Sequence, residues 1–227
     1  MTPGPLVDVL PTADLVVRAG RLELRAVTDD VLGPLGRLAA AGIHADDAMP
    51  FDVPWSVAPP AELPRRVAQF HWGVRARFSA EEWDLELTAY WDGGLVGCQG
   101  FSTRRFLLTR TGGTGSWLGR AHQGRGIGTA MRRAMCVLAL DHLGATEVTS
   151  GAYADNRASL AVSRKVGYVV DGTSRVVRVR AGVEEVVARH RLVVTPATLV
   201  RGDAPVEVAG LAPVRAAVGL PPVRWPG

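Results

Sequence analysis

GRAHQGRGIGTAMRR, residues 119–133, sets glycines at 124, 126 and 128 directly ahead of a stretch with helical apolar spacing. Successive glycines at a strand-to-helix junction let several backbone N–H groups converge on one point, and let a ligand approach without meeting a Cβ. The following helix adds its orphan first-turn N–H groups and the positive end of its dipole. The segment reads as an anion site, for which phosphate or pyrophosphate is the usual occupant. A glycine-rich helix start with no ligand is the plainer alternative.

Three phosphate-loop patterns can be compared with it. GxxxxGK[ST] fails, because Arg125 and Gly126 follow Gly124 where Lys and Ser/Thr are required. The dinucleotide fingerprint GxGxxG is met at Gly124 and Gly126 but breaks at Thr129, and Glu147 downstream opens a strand rather than ending one. Q/R-x-x-G-x-G/A is met by Gln123, Gly126 and Gly128.

Working outward, Ile127, Met131, Ala134 and Leu138 give a buried helical stripe after the loop. Ahead of it, RTGGTGSWLG reads as a strand ending near Leu118. WDLELTAYWDGGLVGCQGFST reads as a hairpin turning at Asp92-Gly93-Gly94. RLELRAV is a first strand. Thr28, Asp29 and Asp30 open a helix predicted to break near Pro34 and end at Gly42. The four prolines of IHADDAMPFDVPWSVAPP predict an ordered but irregular segment, and a second helix follows with Pro64 in its first turn. Beyond the loop helix come the strand TEVTSGAY, a helix NRASLAVSRKVG capped by Asn156 and stopped by Gly167, and a hairpin of YVVDGTSRVVRVR with EEVVARHRLVV. TPATLV is expected to be a short helix. Met1 to Asp14 reads as a loose arm, and Arg201 to Gly227 as a Pro-rich extension.

The chain has 227 residues, 47% of them hydrophobic, with a net charge of +4, enough for one large domain or one domain with extensions. Lys165 is the sole lysine; the arginines are dispersed, which reads as a solvated mixed-charge surface and makes nucleic acid an unfavoured partner. Cys98 and Cys136 sit in apolar stretches without metal-ligand spacing, so buried reduced thiols, no metal and a cytoplasmic location are expected. No stretch has the form of a leader or a membrane span, so no membrane partner is expected.

NRASLAVSRKVGY, residues 156–168, supplies the second constellation: Asn156, Ser159, Lys165, Gly167 and Tyr168. With both motifs in this order and a strand between them, the chain resembles the GNAT superfamily of acyl-CoA-dependent N-acyltransferases, and most of all its branch of ribosomal-protein N-terminal acetyltransferases. The resemblance is strong over residues 115–171 and looser over 21–195. HADDAMPFDVPW, residues 44–55, is similar to a segment of an actinobacterial subgroup, some of whose members accept succinyl-CoA.

The resemblance implies an α/β fold of the α+β type: a central mixed, mostly antiparallel sheet, splayed between the fourth and fifth strands and flanked by helices. It implies an arm at 1–18, the acyltransferase domain at 19–200 and an extension at 201–227. Acetyl-CoA or succinyl-CoA would be the co-substrate. Its pyrophosphate would lie on the amides of Gln123, Gly124, Arg125, Gly126, Ile127, Gly128 and Thr129, and its pantetheine along Ser116, Trp117 and Leu118. Asn156 would serve as helix cap and coenzyme contact. Ser159 matches a serine near the coenzyme sulfur, or is simply a first-turn capping residue. Many family members carry a tyrosine where this chain has Ser163.

An amine must be neutral to attack a thioester, so a base is expected; Glu86, His44, Asp47 and His71 are the candidates. Asp47, Phe51, Trp55 and Gln99 are candidates for acceptor binding, Gln99 depending on strand register. The expected activity is transfer of an acetyl or succinyl group to a primary amine within a ternary complex. The acceptor would be an amine-bearing small molecule, or a protein N-terminus or lysine, and a homodimer is a further expectation. The alternative is a noncatalytic acyl-CoA-binding or interaction protein with the same fold.

Overall fold

Asp92 and Gly93 both take positive φ, 50° and 79°, the two-residue turn whose twist matches that of paired strands. Around it β3 (Glu82–Trp91) and β4 (Gly94–Arg104) form a long hairpin with Trp91 opposite Gly94. The computed structural model describes residues 5–222. Its other strands are β1 (Val16–Ala19), β2 (Leu22–Ala26), β5 (Thr111–Leu118), β6 (Glu147–Tyr153), β7 (Val169–Arg180), β8 (Val183–Val194) and β9 (Glu207–Ala209). They form one sheet in the order β7-β8-β6-β5-β4-β3-β2-β1-β9. Every neighbouring pair is antiparallel except β5 and β6. This is the predicted mixed, mostly antiparallel sheet. The parallel, splayed pair is the fourth and fifth strands of the sequence reading, renumbered because β1 precedes them.

The helices are α1 (Asp29–Ala40), α2 (Leu63–Arg77), the short α3 (Phe106–Thr109), α4 (Ile127–Val137), α5 (Arg157–Val166) and α6 (Leu211–Ala217). On one face of the sheet, Val31, Leu32, Leu35 and Ala39 of α1 and Val67 of α2 pack with Cys98. On the other, Ile127, Met131, Ala134 and Leu138 lie in the main core, as the helical stripe predicts. Two expectations are corrected. Pro34 does not break α1: its ring removes one backbone bond, but Leu32, Leu35 and Ala39 on either side are buried and hold the helix continuous. TPATLV is not a helix. Thr195 caps a turn by accepting from the amides of Thr198 and Leu199, and Val200 then bonds back to Val166.

The flanking segments join the sheet. β1 pairs with β2 and with β9, so residues near both ends of the chain build one edge. Leu15, Val17, Leu211, Val214 and Val218 are buried in the main core. Part of the predicted arm and extension, residues 1–4 and 223–227, lies outside the described residues. Among those described, no helix is long and apolar enough to cross a membrane.

Candidate active site

The glycine loop folds into an open cup. Gly124 and Gly126 take φ of 73° and 82°, a region costly for any side chain, and Gly126 is the N-cap of α4. A Cβ at either position would meet nothing within 4 Å among the described residues, so the left-handed backbone, not crowding, requires glycine there. The amide of Gln123 bonds to the Arg120 carbonyl and that of Thr129 to the Gly126 carbonyl. Between these closures, the amides of Gly124 to Gly128 donate to no acceptor among the described residues. Five consecutive free N–H groups at a helix N-terminus fit a diphosphate. Gln123 is a brace: its side-chain Nε2 donates to the carbonyls of Ile43 and Leu118, tying the loop to the end of α1 and to β5. Arg120 and Arg125 are exposed on its rim. Buried Ile127 anchors the first turn.

Beside the loop the sheet opens. β5 and β6 pair only from Thr111–Gly113 against Glu147–Thr149, and the ladder stops there. The Gly119 amide bonds to the Val96 carbonyl, so antiparallel alternation turns the main-chain groups of Ser116 and Leu118 away from β4 and into the gap. Such polar main-chain edges suit a ligand with amides of its own. Trp117, between them, faces the other side of the sheet, where its ring lies 5.8 Å from Trp55. At the far lip Asn156 Oδ1 accepts from the Ser159 amide at 3.1 Å, capping α5 as predicted. Ser159 is half-buried at that first turn, and its carbonyl accepts from the Ser163 hydroxyl at 2.8 Å.

The base candidates are dispersed. Glu86 is on β3, two strands from the gap, or about 10 Å at ordinary strand spacing. It faces α2, opposite Gly100, where a Cβ would collide with its carboxylate. Burial pushes Glu86 up to about 7, Asp84 adds to the rise, and a hydrogen bond from the Cys98 thiol at 3.3 Å opposes it. His71, pushed down to about 4 chiefly by burial, lines the same cavity of about 20 Å³, room for a single water. His44 lies elsewhere. Its Nδ1 donates to the Ala45 carbonyl at 2.8 Å, so its Nε2 accepts from the Ser56 hydroxyl at 2.7 Å.

His44 lines a groove of about 570 Å³ between residues 39–63 and the tip of the β7–β8 hairpin, with Ile43, Asp46, Met49 and Val179. Ion pairs hold the irregular segment there: Asp52 meets Arg189 at 2.8 Å. Buried Arg178 bonds Asp155 at 2.7 Å and Glu185 at 2.9 Å. The Phe51 and Trp55 rings meet at 5.4 Å, tilted to each other, and continue onto Trp117, so they form the wall that joins this groove to β5. Asp47 is exposed, and its neighbour Asp46 lines the groove instead. Gln99 does not reach the groove. Its register partner is Ser116, and its Nε2 is spent on the carbonyls of Gly100 and Gly115.

Arg132 was not singled out in the sequence, where an Arg-Arg pair reads as solvent-facing. It is buried among hydroxyls of Ser116, Ser150 and Ser163. No local signal separates it from Arg133, which the same helix leaves half-exposed and bonded to the Val200 carbonyl. Among the described residues, no cluster of three or more His, Cys, Asp or Glu could hold a metal ion.

The glycine cup at the N-terminus of α4 thus lies beside the point where β5 and β6 part. Residues 21–169 match the family described as Acetyltransferase (GNAT) domain, and the chain belongs to that family. Solved structures agree in fold. RimL, a ribosomal alpha-N-protein acetyltransferase in complex with coenzyme A, is 19% identical with a TM-score of 0.61, over 83% of this chain and 99% of its own. Mycobacterium smegmatis RimJ, in complex with CoA-disulfide, is 20% identical with a TM-score of 0.61, over 82% and 90%. A GNAT-family acetyltransferase from Bacillus anthracis is 13% identical with a TM-score of 0.61, over 79% and 98%.

Proposed function

We propose that this protein is an acyl-CoA-dependent N-acyltransferase that moves an acetyl group from coenzyme A to a primary amine by direct attack in a ternary complex. The observation that carries it is the run of free amides from Gly124 to Gly128, next to the unpaired edge of Ser116 and Leu118. Acetyl-CoA supplies the activated acyl carbon. The loop holds the diphosphate, and the β5 edge orients the thioester in the gap. Strand N–H groups aimed there polarise its carbonyl. Succinyl-CoA is a second donor to be tested. Ser159 and Asn156 form the far lip, and residues 19–200 carry the chemistry.

The acceptor, a small-molecule amine or a protein N-terminus or lysine, enters by the groove of His44 and Asp46, whose negative charge attracts an ammonium group. Glu86, raised to about 7, takes the amine proton through water, because two strands separate it from the gap. Buried free Cys98 and Cys136 support a cytoplasmic setting. The exposed valines of the β7–β8 hairpin support a homodimer.

Calorimetry with CoA and acetyl-CoA tests binding, and thiol release against a panel of amines tests transfer. Micromolar binding with turnover of at least one amine supports the proposal. Tight binding without turnover on any amine favours a noncatalytic acyl-CoA-binding protein, and no binding refutes both.

A further inference from the structure

Arg132 of α4 is 5% exposed. Its Nη1 donates to Ser163 Oγ at 2.8 Å and Ser150 Oγ at 3.4 Å, and its Nη2 to Ser116 Oγ at 3.3 Å. Among the described residues no carboxylate lies within ion-pair distance of it, and its Nε has no partner. Gln99, 0% exposed, is the register neighbour of Ser116 on the same face, and its Oε1 is likewise unpartnered. Ser116 and Ser150 belong to the two strands that part just beyond Gly113 and Thr149. The cation therefore hangs between the lips of the splay, where its hydrogen-bond partners among the described residues are neutral hydroxyls.

Buried charges are ordinarily paired, since hydroxyls offset little of the lost hydration. A buried guanidinium with spare hydrogen-bonding capacity, fixed from three elements, is an environment organised in advance for an anion. The acyl-transfer reading, on which this inference rests, develops two anions in that gap: the carbonyl oxyanion, which the strand N–H groups meet, and then the thiolate. When the amine nitrogen bonds to the acyl carbon, the carbon–sulfur bond breaks. Its electron pair leaves on sulfur, and the amine proton goes to the base. We propose that Arg132, steadied by Ser163, stabilises the departing CoA thiolate, so that this chain needs no proton donor of its own at the sulfur. The groups that face Arg132 do not compete for the role. Cys136 on α4 is pushed up to about 11 by burial, and Tyr168 after α5 is also raised, so both stay neutral. The nearest strand residues are hydroxyls and an amide.

The test follows the ultraviolet thiolate absorbance of CoA bound to the full-length protein as pH is raised, with Arg132→Met and Arg132→Lys as variants and circular dichroism as the folding control. In the wild type the bound thiol is expected to ionise about one pH unit below free CoA, a tenfold gain in thiolate at fixed pH. Arg132→Lys should keep most of that shift and Arg132→Met should lose it. Met is further expected to lower kcat about a hundredfold with KM for acetyl-CoA within about threefold, and least with thioesters of more acidic thiols. A wild-type bound thiol that titrates like free CoA overturns the inference even if the Met variant fails to fold, and so does a shift that survives in a folded Met variant. Loss confined to donors with a terminal carboxylate also overturns it, making Arg132 a carboxylate receptor. Failure of the wild type to bind CoA overturns the acyl-transfer reading itself, and the inference with it.

Discussion

Gly126 holds φ at 82° with open space where a side chain would project, so its substitution separates conformation from crowding. Gly126→Val should cost about 1–2 kcal/mol in stability, because a β-branched residue is forced into the left-handed region. It should also weaken CoA binding at least about tenfold by moving the free amides. Denaturant unfolding and calorimetry read the two effects independently. Glu86 and His71 make a second prediction at this scale. The folded-state value of Glu86, about 7 against an ordinary 4.5, means that the folded protein holds a proton the unfolded chain releases, so stability falls as pH rises from about 4.5 to 7. His71, about 4 against 6.5, does the opposite: stability rises with pH across about 4 to 6.5. The two slopes oppose each other where they overlap. Glu86→Gln should leave only the rising His71 limb and should be more stable than the wild type above pH 7, by up to roughly 3 kcal/mol. Urea unfolding across pH checks both signs. The same variant should lower kcat about a hundredfold if Glu86 relays the amine proton. The motif residues were legible because their conformations are local. That Arg132 is buried and Gln99 turned from the groove was not, because both depend on which strand face meets which helix.

At the scale of elements, α5 is held at its start by a single side chain. Asn156→Ala removes the bond to the Ser159 amide and should cost about 1 kcal/mol, read as a drop in melting temperature. A larger loss in acetyl-CoA affinity than in stability would show that the cap also touches the coenzyme. Periodicity and turn chemistry found the long elements: the Asp92-Gly93 hairpin, α4 by its stripe, and α5 by its Asn and Gly ends. They misplaced a break at Pro34, where apolar residues on both sides bury the helix. They overlooked β1 and β9, because strands of four and three residues are too short to display alternation.

Across the whole molecule, both ends of the chain close one sheet edge. Deleting residues 206–222 would uncover β1 and remove Leu211, Val214, Val218 and Leu220 from the core. At about 1.5 kcal/mol or more per buried side chain this amounts to roughly 6 kcal/mol, and the melting temperature should fall by at least about 10 °C. At the opposite edge Val177 and Val186 are register partners and both exposed. If the homodimer forms through this hairpin, Val177→Asp should yield monomers by light scattering while leaving the fold unchanged.

The amino-acid sequence by itself determined the cup and its neighbours: glycines that alone tolerate positive φ, a capping asparagine, and the strands on either side, all set by interactions a few residues long. Only the tertiary structure decided how far the sheet opens, that Glu86 stands two strands from the gap, and that a buried arginine hangs within it. Those facts follow from strand order and from the packing of α4 and α5 across the two lips, contacts between residues far apart in the chain that no local pattern encodes.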